Sequence, residues 1–160
     1  MQNVVDLGKL LEGLCAYKIE YILVGGLAAL IQGTPISTMD VDIVHLQTDS
    51  NIQKLLDYLI CIDAIYRRPG NQIIRPCFQN LAAFGHNLFS TKLGYLDVLA
   101  FVEGKKTYYD LLPFTKTIEF RGYSIKILSL KKLIELKKES TSAKDKLRLS
   151  ILEETLSQSE

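Results

Sequence analysis

The sequence lacks the features that mark secreted, membrane-spanning and disulfide-rich proteins. No apolar run in its 160 residues approaches the roughly 18 residues of a membrane-spanning helix. The N-terminus has neither the basic segment nor the long apolar segment of a signal peptide. Cys15, Cys61 and Cys77 are odd in number and widely spaced, so neither a disulfide framework nor a zinc site is predicted. We therefore expect a cytoplasmic protein with no membrane contact, whose cysteines are small buried residues.

A strong excess of charge of one sign is also lacking, since the net charge is only +1. Hydrophobic residues make up 48% and charged residues 23%, which is typical of a globular domain. The sequence contains no internal repeat and no low-complexity segment. We predict one domain over residues 1–160, with its core at about residues 18–128 and C-terminal helices at about residues 129–157.

The charges are nevertheless distributed unevenly. Residues 1–65 hold three basic and eight acidic side chains, whereas residues 131–148 hold seven basic and three acidic ones. An acidic, metal-binding end that faces a basic, phosphate-binding end would suit a nucleotide cleft. The alternative is a solvated helix with many lysines, which explains most of these residues equally well when they are taken singly.

The most informative segment begins with a short apolar strand and two glycines. Residues 21–24 form the apolar run, Gly25 and Gly26 follow it, and residues 26–32 are rich in helix formers. A Gly-Gly pair at the start of a helix lets the backbone approach a phosphate closely, and a helix N-terminus favours an anion. The segment therefore suggests a phosphate-binding turn.

Two carboxylates, Asp40 and Asp42, lie at the start of a second strand that is predicted at about residues 41–46. Side chains alternate between the faces of a strand, so these two point the same way, roughly 6–7 Å apart along the strand. Like charges at the edge of a core are costly unless a cation neutralises them. Oxygen ligands suit Mg²⁺, and the pair therefore predicts a site for this ion, with Mn²⁺ as the alternative.

Hydrophobic periodicity predicts the remaining elements. Helices are expected at residues 3–17, 50–60, 130–139 and 144–157, with a frayed tail after residue 157 and a helical turn at residues 108–113. Extended segments are expected at residues 73–77, 84–91 and 95–102, and a hairpin at residues 115–120 and 123–128. His45 ends the second strand, and a hydrogen-bonded structural histidine is the favoured interpretation of it.

Asp97 is the next candidate, because it is the one charge inside an otherwise apolar strand. Such a carboxylate must be paired or bound to metal. Two-metal phosphoryl chemistry often needs a third carboxylate that faces the first two, so we interpret Asp97 as a metal ligand or general base. The alternative is a structural ion pair with a cation such as Arg75.

Lys137 differs from the other lysines of its helix. It continues the apolar stripe of Leu130, Leu133 and Ile134, so it should reach inward while Lys131, Lys132 and Lys138 face water. An inward lysine near a metal–triphosphate site would balance phosphate charge. The alternative is a lysine that lies along the edge of the core with its ammonium group in water.

These motifs resemble the nucleotidyltransferase superfamily, which includes the polymerase β-like enzymes, and in particular a small bacterial subgroup of nucleotidyltransferase-like proteins. The likeness is carried by an apolar strand, Gly-Gly, a short helix and Asp-x-Asp, with a third carboxylate on a later strand. It extends over most of the chain, through residues 21–29, 38–44, 75–76, 89–91, 94–99, 109–113 and 125–130, and then through Leu133, Ile134, Lys137 and Lys144-Asp145.

The resemblance implies an α+β fold: a nucleotidyltransferase-type mixed β-sheet flanked by helices, with a C-terminal helical segment. It implies that three residues act in catalysis and bind metal: Asp40, Asp42 and Asp97. It further implies that the nucleotide is bound by Gly25, Gly26, Thr38, Lys137 and Arg75. One departure is evident, because the family usually has Arg two residues before the threonine, where this chain has Ile36. Nucleotide binding would then be weaker or would depend on Arg75 or Lys137.

The function implied is Mg²⁺-dependent transfer of an NMP from an NTP, such as ATP, to an acceptor hydroxyl, with release of pyrophosphate. The acceptor could be an RNA end, a protein side chain or a small molecule. The alternative is a catalytically weak or inactive module that binds nucleotide, RNA or a partner protein, for example as one component of a toxin–antitoxin pair. The small size of the chain and Ile36 favour this alternative.

Overall fold

A mixed β-sheet forms the centre of the computed structural model, which describes residues 4–70, 72–140 and 143–159. Its strands are β1 (Tyr21–Val24), β2 (Asp40–His45), β3 (Ile65–Tyr66), β4 (His86–Thr91), β5 (Gly94–Leu99), β6 (Thr115–Phe120) and β7 (Tyr123–Leu128). Their order across the sheet is β3-β4-β5-β2-β1-β7-β6. The strand that carries Asp40 and Asp42 therefore lies at the middle of the sheet.

The helices of the described ranges are α1 (Leu7–Ala16), α2 (Gly25–Ile31), α3 (Asp49–Cys61), α4 (Phe78–Ala82), α5 (Tyr108–Leu111), α6 (Leu130–Glu139) and α7 (Ala143–Ser159). Short 3₁₀ turns occupy Glu103–Lys105 and Leu112–Phe114. No helix within these ranges has the length and apolar character needed to cross a membrane. The predicted combination of a mixed sheet, flanking helices and a C-terminal helical segment is confirmed.

Strand pairing explains why the middle of the sheet can carry a site. β2 pairs antiparallel with β1 and parallel with β5, so β2 is flanked on both edges. β1 pairs in parallel with β7 on its other edge, while β4–β5 and β6–β7 form antiparallel hairpins. Parallel pairing of β2 with β5 aligns the two strands in the same direction, which sets their side chains in register.

Alternation along β2 gives its two faces different chemistry. Val41 and Ile43 are completely buried, while Asp40 and Asp42 are half-buried on the other face. Burying a Val or Ile side chain stabilises the fold by about 1.5–3 kcal/mol. A register slip by one residue would place the carboxylates in the core, so the apolar side chains also fix the position of the site.

Helix starts follow the capping residues of the sequence. The side chain of Thr48 accepts a hydrogen bond from the backbone N of Asn51 at the start of α3. Ser129 accepts one from the backbone N of Lys132, 3.2 Å away, at the start of α6. Such caps satisfy donors that have no partner inside the helix, and this explains why the predicted boundaries of both helices are accurate to about one residue.

Buried Asn51 joins α3 to the ends of two central strands. Its Oδ1 accepts from the backbone N of Glu20 at 2.7 Å, and its Nδ2 donates to the carbonyl oxygens of Glu20 and Leu46 at 2.9 and 2.7 Å. Glu20 precedes β1 and Leu46 follows β2. The side chain therefore holds together the strands between which the site forms.

Residues 73–77 were predicted to be an extended segment at an edge or an end. These residues form no strand; β3 lies at Ile65–Tyr66 instead, and the backbone N of Tyr66 donates to Ile74 O at 2.9 Å. α4 was not predicted, because five residues are too few to show a helical period. β5 ends at Leu99 rather than at residue 102.

Two further expectations were wrong. α7 stays helical to Ser159, whose hydroxyl donates to Thr155 O at 2.7 Å, so the tail is not frayed before that residue. Cys61 is exposed at the end of α3, while Cys15 and Cys77 are half-buried, so the cysteines are not all buried. Residue 3 of the first predicted helix and residue 160 of the tail lie outside the described residues.

We predict that Asn51→Ala lowers the free energy of unfolding by about 3 kcal/mol, because it removes three hydrogen bonds that join α3 to the ends of β1 and β2. Urea denaturation monitored by circular dichroism measures this change. Gln53→Ala is the matched control, since Gln53 is an exposed amide on the same helix and pairs only with Asp57 among the described residues. A loss of less than about 1 kcal/mol in Asn51→Ala would contradict the joining role.

Candidate active site

Three carboxylates meet on adjacent strands at the centre of the sheet. Asp42 on β2 lies directly opposite Asp97 on β5, and Asp40 lies two residues before Asp42. One carboxylate oxygen from each of the three lies within 4.8 Å of the others. All three belong to one face of the sheet, since residues two apart on a strand, and residues paired in register, share a face.

Asp42 lies in an unfavourable environment for a charged carboxylate. Its Oδ1 is buried and has no hydrogen-bond partner among the described residues. Burial, followed by the hydrogen bond and charge of Asp97 and by the charge of Asp40, raises the pKa of Asp42 to about 8. The charge of Lys137 acts in the opposite direction. The folded protein alone therefore favours the protonated, neutral form of Asp42 at neutral pH.

The residues present fit a divalent cation. Hard cations such as Mg²⁺ and Mn²⁺ prefer oxygen ligands, and all three residues of the cluster offer carboxylate oxygens. The buried, unpartnered Oδ1 of Asp42 is an acceptor for which the described part of the chain provides no donor. A cation bound here would provide a partner for this oxygen, and it would offset the mutual repulsion of the carboxylates.

The two glycines lie beside these carboxylates at the start of α2. Gly25 has φ of +74°, which favours glycine, and a Cβ at this position would overlap the carboxylate of Asp42. A Cβ at Gly26 would lie 3.2 Å from the Oγ1 of Thr38. Both positions therefore keep open the space between the α2 backbone and the acidic cluster.

Thr38 connects the glycine turn to the acidic strand. Its Oγ1 lies 3.4 Å from the backbone N of Asp40 and 3.3 Å from the carbonyl oxygen of Asp40, at the long end of hydrogen bonding. The side chain is half-buried and faces Gly26. Thr38 is therefore placed between the two motifs on which the sequence prediction depends.

Lys137 lies inward on α6, where the sequence predicts it. Its Nζ lies 2.7 Å from Oδ1 of Asp145 on α7, and its side chain is 21% exposed. The expectation that Lys132 faces water was wrong. Its side chain is only 11% exposed, lies 4.1 Å from the centre of the Phe114 ring and pairs with Glu135.

Arg67, which no sequence motif singles out, is the cation that pairs with Asp97. Its Nη2 lies 2.5 Å from Oδ1 of Asp97, and its Nη1 donates to Phe89 O at 3.0 Å. Its guanidinium also lies 4.7 Å from the centre of the Tyr95 ring. Arg75, the partner considered from the sequence, is exposed and joins no ion pair within the described ranges.

Arg148 is a second arginine that sequence reasoning did not single out. It extends from α7 and its Nη2 donates to Ser37 O at 3.3 Å. A Cβ at Gly26 would lie 3.2 Å from its Nη1. The sequence signal was hidden by its position in a run of basic residues on a C-terminal helix.

His45 has a structural role, as the sequence favours. Its ring nitrogens lie 3.0 Å from Leu99 O and 2.9 Å from Leu81 O, and the side chain is buried. Burial lowers the pKa of His45, against the opposing effect of the two backbone acceptors. The imidazole therefore joins β2 to the end of β5 and to α4, away from the carboxylate cluster.

The chain has the nucleotidyltransferase fold, as its likeness to solved structures shows. The lincosamide antibiotic adenylyltransferase LnuA, in its lincomycin-bound form, matches with a TM-score of 0.60 and 14% identity over 95% of this chain and 98% of that one. A protein from Thermotoga maritima, described as a candidate nucleotidyltransferase, matches with a TM-score of 0.53 and 17% identity over 95% and 88%. No protein-family model and no curated protein matches the sequence. The fold relationship expected from the motifs is confirmed.

We predict that Asp42→Asn raises the melting temperature of the metal-free protein, because it removes the buried charge. The folded pKa of Asp42 is raised to about 8, so its contribution is favourable below the pKa of the unfolded chain, about 4, and is lost as the pH rises toward 8. The gain should therefore grow between pH 5 and pH 8, by roughly 4 kcal/mol.

Thermal unfolding in EDTA at several pH values measures this gain. The groups that face Asp42 are Asp40, Asp97 and Lys137, and all three remain in the variant. Asp63→Asn is the control, since Asp63 is exposed, has φ of +53°, which Asn tolerates, and should shift stability by less than about 0.5 kcal/mol. A destabilised Asp42→Asn protein at pH 8 in EDTA would contradict the electrostatic account.

Proposed function

We propose that this protein is a Mg²⁺-dependent nucleotidyltransferase that moves an NMP from an NTP to an acceptor hydroxyl and releases pyrophosphate. The observation that carries the proposal is the in-register pairing of Asp42 with Asp97, two residues from Asp40 and next to the Gly25 turn. A cluster that could bind a cation next to a glycine turn that phosphate could approach supports the proposal. The fold shared with LnuA, described as an adenylyltransferase, supports the reaction class.

Asp40, Asp42 and Asp97 would hold the metal. When bound, Mg²⁺ would lower the pKa of the acceptor hydroxyl and neutralise charge on the phosphates. The buried Oδ1 of Asp42 would thereby gain its partner. Asp97 also borders the Arg67–Tyr95 side of the site, so we place the acceptor on that side.

The phosphates would lie on the opposite, glycine side. The backbone N–H groups of Gly25 and Gly26 would donate to phosphate oxygens, with the hydroxyl of Thr38 as a further donor. Lys137, whose charge acts to lower the pKa of Asp42, would supply counter-charge. A role for the exposed Arg75 in nucleotide binding stays a prediction.

The reaction follows from this arrangement. The acceptor oxygen forms a bond to the α-phosphorus of the NTP, and the bond from that phosphorus to the bridging oxygen of pyrophosphate breaks. The proton of the acceptor hydroxyl passes to the carboxylate of Asp97, and pyrophosphate leaves with the electron pair of the broken bond. The orientation of attacking and leaving oxygens would account for much of the rate.

ATP is the first donor to test, because LnuA is described as transferring an adenylyl group to a lincosamide antibiotic. For this chain the acceptor classes are an RNA end, a protein side chain and a small-molecule hydroxyl. The second candidate function is a module that binds nucleotide, RNA or a partner protein without transfer, such as a toxin–antitoxin component. Ile36, in place of the usual arginine, is the observation that favours it.

We predict that the wild-type protein transfers label from [α-³²P]NTP, and not from [γ-³²P]ATP, to one member of an acceptor panel. The panel contains bulk RNA, cellular protein and small hydroxyl compounds that include lincomycin. Asp42→Asn and Asp97→Asn should each lower the transfer rate at least about 100-fold, because each removes a charged ligand. Gel or thin-layer separation measures the labelled product.

Asp63→Asn serves as the control and should keep the full rate. Equal transfer by Asp42→Asn and the wild type would contradict the mechanism. Absence of transfer to every acceptor, together with no thermal shift of the wild type by Mg²⁺ and any NTP, would favour the non-catalytic module.

A further inference from the structure

The elements that carry the acidic motif contain no cation of their own. Between Lys18 and Lys54 the sequence has no lysine or arginine, and the single histidine there, His45, is held by two backbone carbonyls. The phosphates of an NTP carry several negative charges and would enter beside three carboxylates. Positive charge on the phosphate side must therefore come from elements distant in sequence.

α7 brings such a charge to the glycine turn. The Nη1 of Arg148 and the Oγ1 of Thr38 would each lie 3.2 Å from a Cβ at position 26. The Nη2 of Arg148 donates to Ser37 O at 3.3 Å. The guanidinium therefore lies over Gly26, where the proposed phosphate would approach.

Arg148 also differs from Lys137 in how its charge is compensated. Lys137 forms an ion pair with Asp145, whose Oδ1 lies 2.7 Å away, whereas Arg148 acts on the same carboxylate only from beyond ion-pair distance, where its charge helps to lower the pKa of Asp145. Its hydrogen bond to Ser37 O uses one of the five N–H groups that a guanidinium carries. Donors therefore remain for an anion, while the carbonyl fixes the direction of the side chain.

Position 36 cannot supply this charge, because it is occupied by an uncharged residue, Ile36, which is half-buried and packs against the core. The adjacent Ser37 instead anchors the guanidinium of Arg148 through its carbonyl. Arg148 of α7 therefore lies beside the same loop in which the family motif usually has its own arginine. A planar guanidinium suits this task, since it can hold a carbonyl and a phosphate at once.

We propose that Arg148 is a phosphate-binding residue that holds the β- or γ-phosphate of the NTP over Gly26, which makes α7 part of the nucleotide site. This inference rests on the proposed function, since it presumes that an NTP binds at the acidic cluster. It assigns the triphosphate, rather than the nucleoside, as the part of the ligand that α7 recognises.

The test is binding of two ligands, the non-hydrolysable α,β-methylene ATP with Mg²⁺ and AMP with Mg²⁺, measured by calorimetry. Arg148→Ala should weaken the triphosphate about 10–100-fold, as expected for loss of charge-assisted hydrogen bonds, and should change AMP binding less than about twofold. Lys146→Ala is the matched control: it removes one positive charge from an exposed position on the same helix and should leave both affinities unchanged.

Arg148→Gln separates phosphate binding from a purely structural role. Its amide can still donate to Ser37 O, so the melting temperature should stay close to that of the wild type, yet the triphosphate should bind as weakly as to Arg148→Ala. Wild-type affinity for the triphosphate in Arg148→Gln would overturn the inference, and so would an equal loss in Lys146→Ala.

The outcomes also distinguish this inference from the proposed function. If the wild type binds the triphosphate, loses it in Asp42→Ala and keeps it in Arg148→Gln, the inference fails alone. If the wild type binds neither ligand, the proposed function and the inference both fail.

Discussion

Repulsion among three carboxylates at the middle of a sheet is the constraint on which the rest of the molecule depends. The apolar face of β2 is completely buried through Val41 and Ile43, and this burial fixes Asp42 opposite Asp97. Hydrophobic packing is strong enough to hold the carboxylates together although they repel one another. Stability and a reactive arrangement of charge therefore arise from the two faces of the same strand.

The neighbouring cations are arranged around this cluster rather than within its motif. Arg67, which follows the edge strand β3, pairs with Asp97, the third carboxylate of the cluster. Lys137 and Arg148 extend from the two C-terminal helices. The proposed acceptor side and the proposed phosphate side would thus receive their positive charge from different parts of the chain. Variation in one part can alter its own side of the site while leaving the acidic strand unchanged.

Local patterns were sufficient to predict the parts of the site that are close in sequence. The Gly25-Gly26 turn and the carboxylates on β2 follow from strand alternation, and Asp97 follows from a lone charge in an apolar strand. Arg67 could not be predicted, because β3 has two residues and no periodicity, and its contact depends on the pairing of β3 with β4. Arg148 was hidden for a similar reason, since nothing local shows which basic residue of α7 reaches Ser37.

The parallel register of β2 and β5 also has a consequence for how the chain folds. It joins residues about 55 positions apart, so closing this contact costs chain entropy before any packing offsets it. The same contact brings Asp97 against Asp42 and adds electrostatic repulsion to this cost. A divalent cation bound at the cluster would offset that repulsion, so the ion that would serve the proposed chemistry would also favour the register of the sheet.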